Sequence, residues 1–219
     1  MFIFLSRYIN IHSHHTFPGD NLSIFCLYDQ FERAESGLTC SVGLHPWYLD
    51  HAEADCEAIR KYMSLPNVLA IGECGLDKLA KTDWDWQMKW LIWQIDLANS
   101  INKPLIIHCV KAFEDLLAVF KMHPPKVPVI IHGFNKKPEL AQQLVQHRLY
   151  ISFGKALFQS HPGPLEALEH IPADHFFLET DDAAMPIADV YAKAAKIRKT
   201  GEDEIILQLQ KNFQNVFAR

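Results

Sequence analysis

Short apolar runs recur along the chain, and most are followed by a stretch with helical spacing. Runs at 8–14, 23–28, 39–45, 68–73, 104–108, 129–132, 149–153 and 175–181 read as eight strands. Several are continuous in Ile, Val and Leu rather than alternating. That pattern suits strands buried on both faces, as in a parallel sheet covered by helices. Helical spacing appears at 53–64, 84–101, 112–122, 138–147 and 164–170, and two further helices, 188–200 and 203–214, close the chain. A short helix at 32–37 is ended by Gly37. In the strongest helix, 84–101, Met88, Leu91, Ile92, Ile95 and Ala98 keep 3/4 spacing, and Trp84, Trp86, Trp90 and Trp93 are expected to pack as a seam between helix and barrel. Eight strands separated mainly by helices predict an α/β fold, a compact (β/α)8 TIM barrel, as one domain over residues 1–219. The link at 16–21 holds Pro18 and Gly19 and is too short for a full helix, so the first βα unit is expected to be degenerate.

Composition narrows the class. The chain has 219 residues, 49% hydrophobic and 21% charged, which excludes a disordered protein. Its apolar runs are far shorter than a membrane span, and the run at 2–5 is too brief for a secretory core, so no membrane is expected and a cytoplasmic location is. The five cysteines form no Cys-x-x-Cys pair and read as reduced, mostly buried thiols. Cys74 and Cys109 flank candidate ligands and are the ones expected to be more reactive. A net charge of −5 argues against a basic nucleic-acid binder of the usual kind.

Twelve histidines are the compositional excess, and their positions carry the chemistry. His12 and His14 end the first strand, His45 the third, His108 the fifth and His132 the sixth; Glu73 ends the fourth and Asp181 the eighth. A lone histidine after an apolar run is usually structural. Several strands ending alike in the same sense require a shared site, and in such barrels that site lies at the C-terminal ends of the strands. Residues i and i+2 of a strand project to one side, so His12 and His14 can reach one ion. Imidazole and carboxylate donors together suit zinc, manganese, iron or nickel better than calcium. Six ligands exceed one tetrahedral site with an open position, whereas a carboxylate shared between two ions accommodates them. Gly72 and Gly75 flank Glu73 and permit a tight turn and a close approach there.

These residues stand within motifs that can be quoted in order: His12-Ser-His14, Gly43-Leu-His-Pro46, Ile71-Gly-Glu-Cys-Gly-Leu-Asp77, Pro104-Leu-Ile-Ile-His108, His132-Gly-Phe134, Ser152-Phe-Gly154 and Leu178-Glu-Thr-Asp181. The series resembles the TatD family of metal-dependent deoxyribonucleases, within the amidohydrolase-like barrels, over nearly the whole chain. The resemblance implies that His12, His14, Glu73 and Asp181 hold one divalent ion, and Glu73, His108 and His132 a second, with Glu73 as the bridge. The ions would be zinc, manganese, magnesium, nickel or iron. Asp181, orienting or deprotonating the attacking water, and Glu73 are then the catalytic residues. His45, which the family pattern does not make a ligand, and Lys111 are candidate substrate contacts, and Asp77 is expected to orient its neighbours.

Two departures bear on the substrate. Asn10 replaces the usual Asp before the first histidine, and His108 is followed by Cys109-Val110-Lys111 where the family often has His-x-Arg. Lys78, Lys81, Lys111, Lys136, Lys137 and Lys155 follow the fourth to seventh strands and would form a cationic rim on an acidic protein, as a phosphodiester substrate favours. Trp47 and Phe134 are candidate base-stacking rings at the mouth. The leading expectation is therefore a two-metal phosphodiesterase or deoxyribonuclease acting on nucleic acid. The alternative is a related hydrolase of a small ester, amide or lactone.

Overall fold

A computed structural model describes residues 8–15 and 21–218. The apolar run at 2–5 and the loop at 16–20 lie outside them. Among the described residues the strands are β1 (Tyr8–Ser13), β2 (Asn21–Leu27), β3 (Cys40–Val42), β4 (Val68–Asp77), β5 (Leu105–Val110), β6 (Val129–Ile131), β7 (Tyr150–Phe153) and β8 (Phe176–Leu178). The α-helices are α1 (Ala52–Tyr62), α2 (Trp84–Ile101), α3 (Phe113–Met122), α4 (Pro138–Gln146), α5 (Gly163–His170), α6 (Ile187–Arg198) and α7 (Glu202–Phe217). The strands are ordered β1 to β8 in one sheet, and the pairings are parallel. This is the predicted (β/α)8 class. β1 ends at Ser13 and β2 begins at Asn21, and the link from β2 to β3 carries a 3-10 turn (Phe31–Ser36) closed by Gly37 at φ +81°.

The chain divides into two compact units, one running to Phe25 and resuming at Ile130, the other spanning Cys26–Val129. In the first, Ile9, Ile11, Phe153, Phe176, Phe177, Leu209 and Phe213 are buried. Two polar side chains stitch helices to this sheet. The Tyr191 hydroxyl bonds both the N–H and the carbonyl of Ile9, each at 3.0 Å, and Asn212 Nδ2 donates to the carbonyls of Ala173 and Phe176 at 2.9 Å. Such pairing removes the cost of burying backbone groups near the strand ends.

In the second unit, α2 begins where Asp83 accepts hydrogen bonds from the N–H groups of Asp85 and Trp86, and ends at Asn102 in the left-handed region. Its inner face differs from the expected tryptophan seam. Trp90 is buried, but Trp86 is 40% exposed, stacked on Trp90 with Lys89 over both rings. Beside the expected Leu91, Ile95 and Ala98, the inner face carries Gln87 and Gln94, two turns apart. The Gln94 amide accepts from Leu44 N–H at 2.7 Å and donates to Leu44 C=O at 3.2 Å. Gln87 does the same for Asp77, at 2.8 and 3.2 Å. Each glutamine completes one strand-end peptide, so its polarity is a requirement of the core.

β4 also departs from expectation. It does not stop at Glu73 but continues to Asp77, and its register against β5 shifts between Ile71 and Cys74. The glycines produce a bulge with close approach instead of a chain reversal. A Cβ on Gly72 would stand 2.5 Å from the Ile106 carbonyl, and one on Gly75 would stand 1.9 Å from that of His108, with both residues at φ +149°. Gly75→Ala should therefore lower stability by about 3 kcal/mol or more, an overpacking penalty at the top of its range. Thermal unfolding should show Tm falling by roughly 6–12 °C; an unchanged Tm would mean that β4 and β5 are not this close.

Candidate metal centre

Each unit carries its own cluster of metal-capable side chains. In the first unit the cluster is built by the backbone. Asp181 N–H donates to the His12 carbonyl at 3.1 Å, its own carbonyl accepts from His14 N–H at 3.0 Å, and Ser13 and Asp181 form a parallel bridge. Asp181 takes φ +54° there, a left-handed conformation that aspartate tolerates better than most residues. Asn10 secures the preceding residue: its Oδ1 accepts from Thr180 N–H at 3.1 Å and its Nδ2 donates to Thr180 Oγ1 at 2.8 Å. An amide does both; a carboxylate at this position could only accept. The departure at residue 10 thus has a structural use.

The side chains of His12, His132 and Asp181 place one ligand atom each within 4.8 Å of one another. His12 Nε2 is 3.8 Å and His14 Nε2 3.5 Å from Asp181 Oδ1, so the His-x-His pair does face one carboxylate oxygen. Donor atoms on one tetrahedral ion, each about 2.1 Å from it, stand roughly 3.4 Å apart. These separations are close to that and too long for good hydrogen bonds. Burial alone would raise the Asp181 pKa, but His132, His12 and Lys155, whose Nζ is 3.1 Å from Oδ2, outweigh it and lower it.

Glu179 was not singled out from the sequence. It is 1% exposed, accepts from Gly133 N–H at 2.7 Å, and lies 3.6 Å from His132 Nδ1. Its Oε2 is buried with no hydrogen-bond partner among the described residues. A buried carboxylate oxygen in that condition is costly unless a cation or its water attends it. The available signal was its i−2 spacing from Asp181, the same spacing that relates His12 to His14.

In the second unit Glu73 is 3% exposed and the cluster closes around it. Its Oε1 is 2.8 Å from His108 Nδ1 and 3.2 Å from His45 Nε2, and the Cys26 thiol points at Oε2 from 3.8 Å. Asp77 Oδ2 lies 3.0 Å from His108 Nε2 and accepts from Trp47 Nε1 at 2.6 Å, while Oδ1 accepts from Leu79 N–H. Burial would raise the Asp77 pKa, but the bonds from His108, Trp47 and Leu79 overcome it and lower it. Asp77 thus holds His108, Trp47 and the start of the following loop together. His108 has a carboxylate on each ring nitrogen, whereas a neutral imidazole has one proton to give. A cation at the Glu73 side would replace the missing proton, so the residues fit a metal. His45 is different: its Nδ1 accepts from Trp47 N–H at 3.1 Å, which leaves Nε2 protonated and donating to Glu73.

Other expectations fare variously. Lys111 is exposed immediately after β5, at φ +54°. The lysine rim is smaller than its sequence count, since Lys78 pairs with Asp115 and Lys155 with Asp181 and Asp182. Phe134 is buried against Phe153 and cannot stack a base at the mouth, because its ring fills the core beneath the loop. All five cysteines are thiols, and Cys74 is fully buried with its pKa pushed up, so it is inert rather than reactive. Among the described residues no helix is long and apolar enough to cross a membrane.

Comparisons with known proteins agree with this chemistry. Residues 19–218 match the family described as TatD related DNase. An uncharacterized metal-dependent hydrolase, YabD of Bacillus subtilis, is 34% identical over 145 residues, which is 64% of this chain and 57% of that protein. The 3′-5′ ssDNA/RNA exonuclease TatD of Escherichia coli is 29% identical over 185 residues, 82% of this chain and 71% of the relative. The crystal structure of YjjV, a TatD homolog from Escherichia coli, superposes with a TM-score of 0.86 at 23% identity, covering 98% of this chain and 99% of that one.

The Asp77–His108 contact has a measurable consequence. Asp77→Asn should weaken metal binding about 10- to 100-fold, as expected for loss of a carboxylate that fixes a ligating imidazole. Competition against a chromophoric chelator reads this directly, and wild-type affinity in the variant would remove Asp77 from the metal centre.

Proposed function

The chain belongs to the TatD family of metal-dependent hydrolases, and we propose that it hydrolyses nucleic-acid phosphodiester bonds with two divalent ions held by His12, His14, Glu73, His108, His132 and Asp181. The observation that carries this reading is the pair of imidazole–carboxylate clusters, one in each unit, with ligand atoms within 4.8 Å in each. The single-strand exonuclease activity named for the Escherichia coli relative supports the choice of substrate. When bound, such ions supply Lewis-acid charge and lower the pKa of a water.

The protein's own groups have separable tasks. Asp181 is the base: Lys155 fixes one of its oxygens from 3.1 Å, so the other can take a proton from the attacking water. Glu73, buried and bonded by His108 and His45, is the carboxylate that the family resemblance shares between the ions. Asp77 fixes the ring of His108. His45 offers a protonated Nε2 beside Glu73, and Lys111 lies exposed after β5 as a contact for a substrate phosphate.

Metal-loaded protein should cleave single-stranded or 3′-recessed oligonucleotides, with KM rising as salt is added. A panel of small esters, amides and lactones run beside it separates the other reading, which the absence of an arginine two residues after His108 favours. Cleavage of the panel with no phosphodiester turnover would overturn the proposal. Elemental analysis should find two equivalents of metal on the wild type, and Glu73→Ala should lose both; loss of one alone would separate Glu73 from the shared role.

A further inference from the structure

Three aromatic rings stand beside His45 in the second unit without belonging to its core. Trp47 is 51% exposed and Tyr48 49% exposed, and Tyr28 is half-buried. The rings of Tyr28 and Tyr48 are stacked, with centroids 5.0 Å apart and planes at 19°. Tyr48 lies 5.4 Å and Trp47 5.3 Å from the ring of His45, and Trp47 lies 6.0 Å from that of His108. The wall is therefore continuous with the Glu73 cluster.

It is also held in place. The Tyr48 N–H bonds the His45 carbonyl at 3.0 Å, closing a turn; Trp47 bonds His45 through its backbone and Asp77 through its indole; the Thr82 hydroxyl bonds the Pro46 carbonyl. Exposed aromatic faces normally carry no function when scattered singly. Here a turn built from four interactions presents two of them together, next to the cluster, with little ordering left to do on binding.

We infer that Tyr28, Trp47 and Tyr48 form a stacking subsite for an unpaired nucleobase next to the scissile phosphodiester. The inference rests on the phosphodiesterase reading above and adds to it the side chains that receive a base of the substrate strand. Every base has a π-face, so such a platform is tolerant of sequence. A base still paired and stacked in a duplex has no face to offer, so the subsite selects frayed or single-stranded ends. The stacked tyrosine pair gives the platform its flat face, and Trp47 ties that face to the Asp77–His108 contact.

The test uses intact, metal-loaded protein and single-stranded oligonucleotides made abasic at each of the last two positions in turn. In the wild type, removal of one of these bases should raise KM about tenfold, in line with the usual weight of one base–aromatic stack. Tyr48→Phe, which keeps the ring, should behave as wild type. Tyr48→Ala should raise KM about tenfold on the base-bearing strand and add nothing on the abasic one. Indifference of the wild type to both bases, or an equal loss in Tyr48→Ala on both substrates, would overturn the subsite. If the wild type cleaves no phosphodiester, the proposed function fails separately. The same cycle is then read as Kd from the anisotropy of a labelled oligonucleotide: base dependence lost in Tyr48→Ala supports the subsite, and its absence overturns it.

Discussion

The peptide of Asp181 is bonded on one side to the carbonyl of His12 and on the other to the amide of His14. Much of the first cluster depends on this clamp. It sets the height of the carboxylate against the two imidazoles, and it holds a non-glycine residue in left-handed backbone that would otherwise relax. Asn10 and Ser13 extend the clamp by one residue through Thr180. Ligand placement here is a property of main-chain pairing first and side-chain rotamers second. That ordering suits a centre in which sub-ångström shifts change donor separations.

The second cluster is positioned differently. β4 passes Glu73 inside a bulge that only glycines permit, so the carboxylate is fixed from both sides along the strand and does not hang from its end. A carboxylate held within a strand has less freedom than one at a strand terminus, and here it keeps His108 and His45 on one oxygen of Glu73. Asp77, at the true end of β4, then meets His108 from the far side of the ring.

Much of this was legible in the sequence. Buried parallel strands are short apolar runs, and the strand ends that matter carry histidine or carboxylate, so the barrel class and the chemical set could be read directly. The limits of α2 were legible from its 3/4 spacing, while the Asp83 cap and the left-handed Asn102 are what hold them. What escaped has a common cause: polarity and glycine have two meanings. Gly72 and Gly75 signal a turn or a close approach, and only the position of β5 decides. Gln87 and Gln94 are buried because their partners are backbone groups with no sequence signature, and Trp86 is exposed where the expected seam had placed it inside. Glu179 is hidden for the same reason, since its partner is the amide of Gly133.

The two glutamines of α2 have a metrical implication. They are seven residues apart, about 10.5 Å along a helix axis, and each grips the peptide at the end of a different strand, Leu44 beside His45 and Asp77 beside His108. The helix is a ruler with two marks. Its pitch, which no side chain can adjust, sets the interval between the residue before His45 and the end of β4. Inserting a single residue between the marks would turn one of them away by about 100°, and the chain would have to give up either the His45 turn or the end of β4.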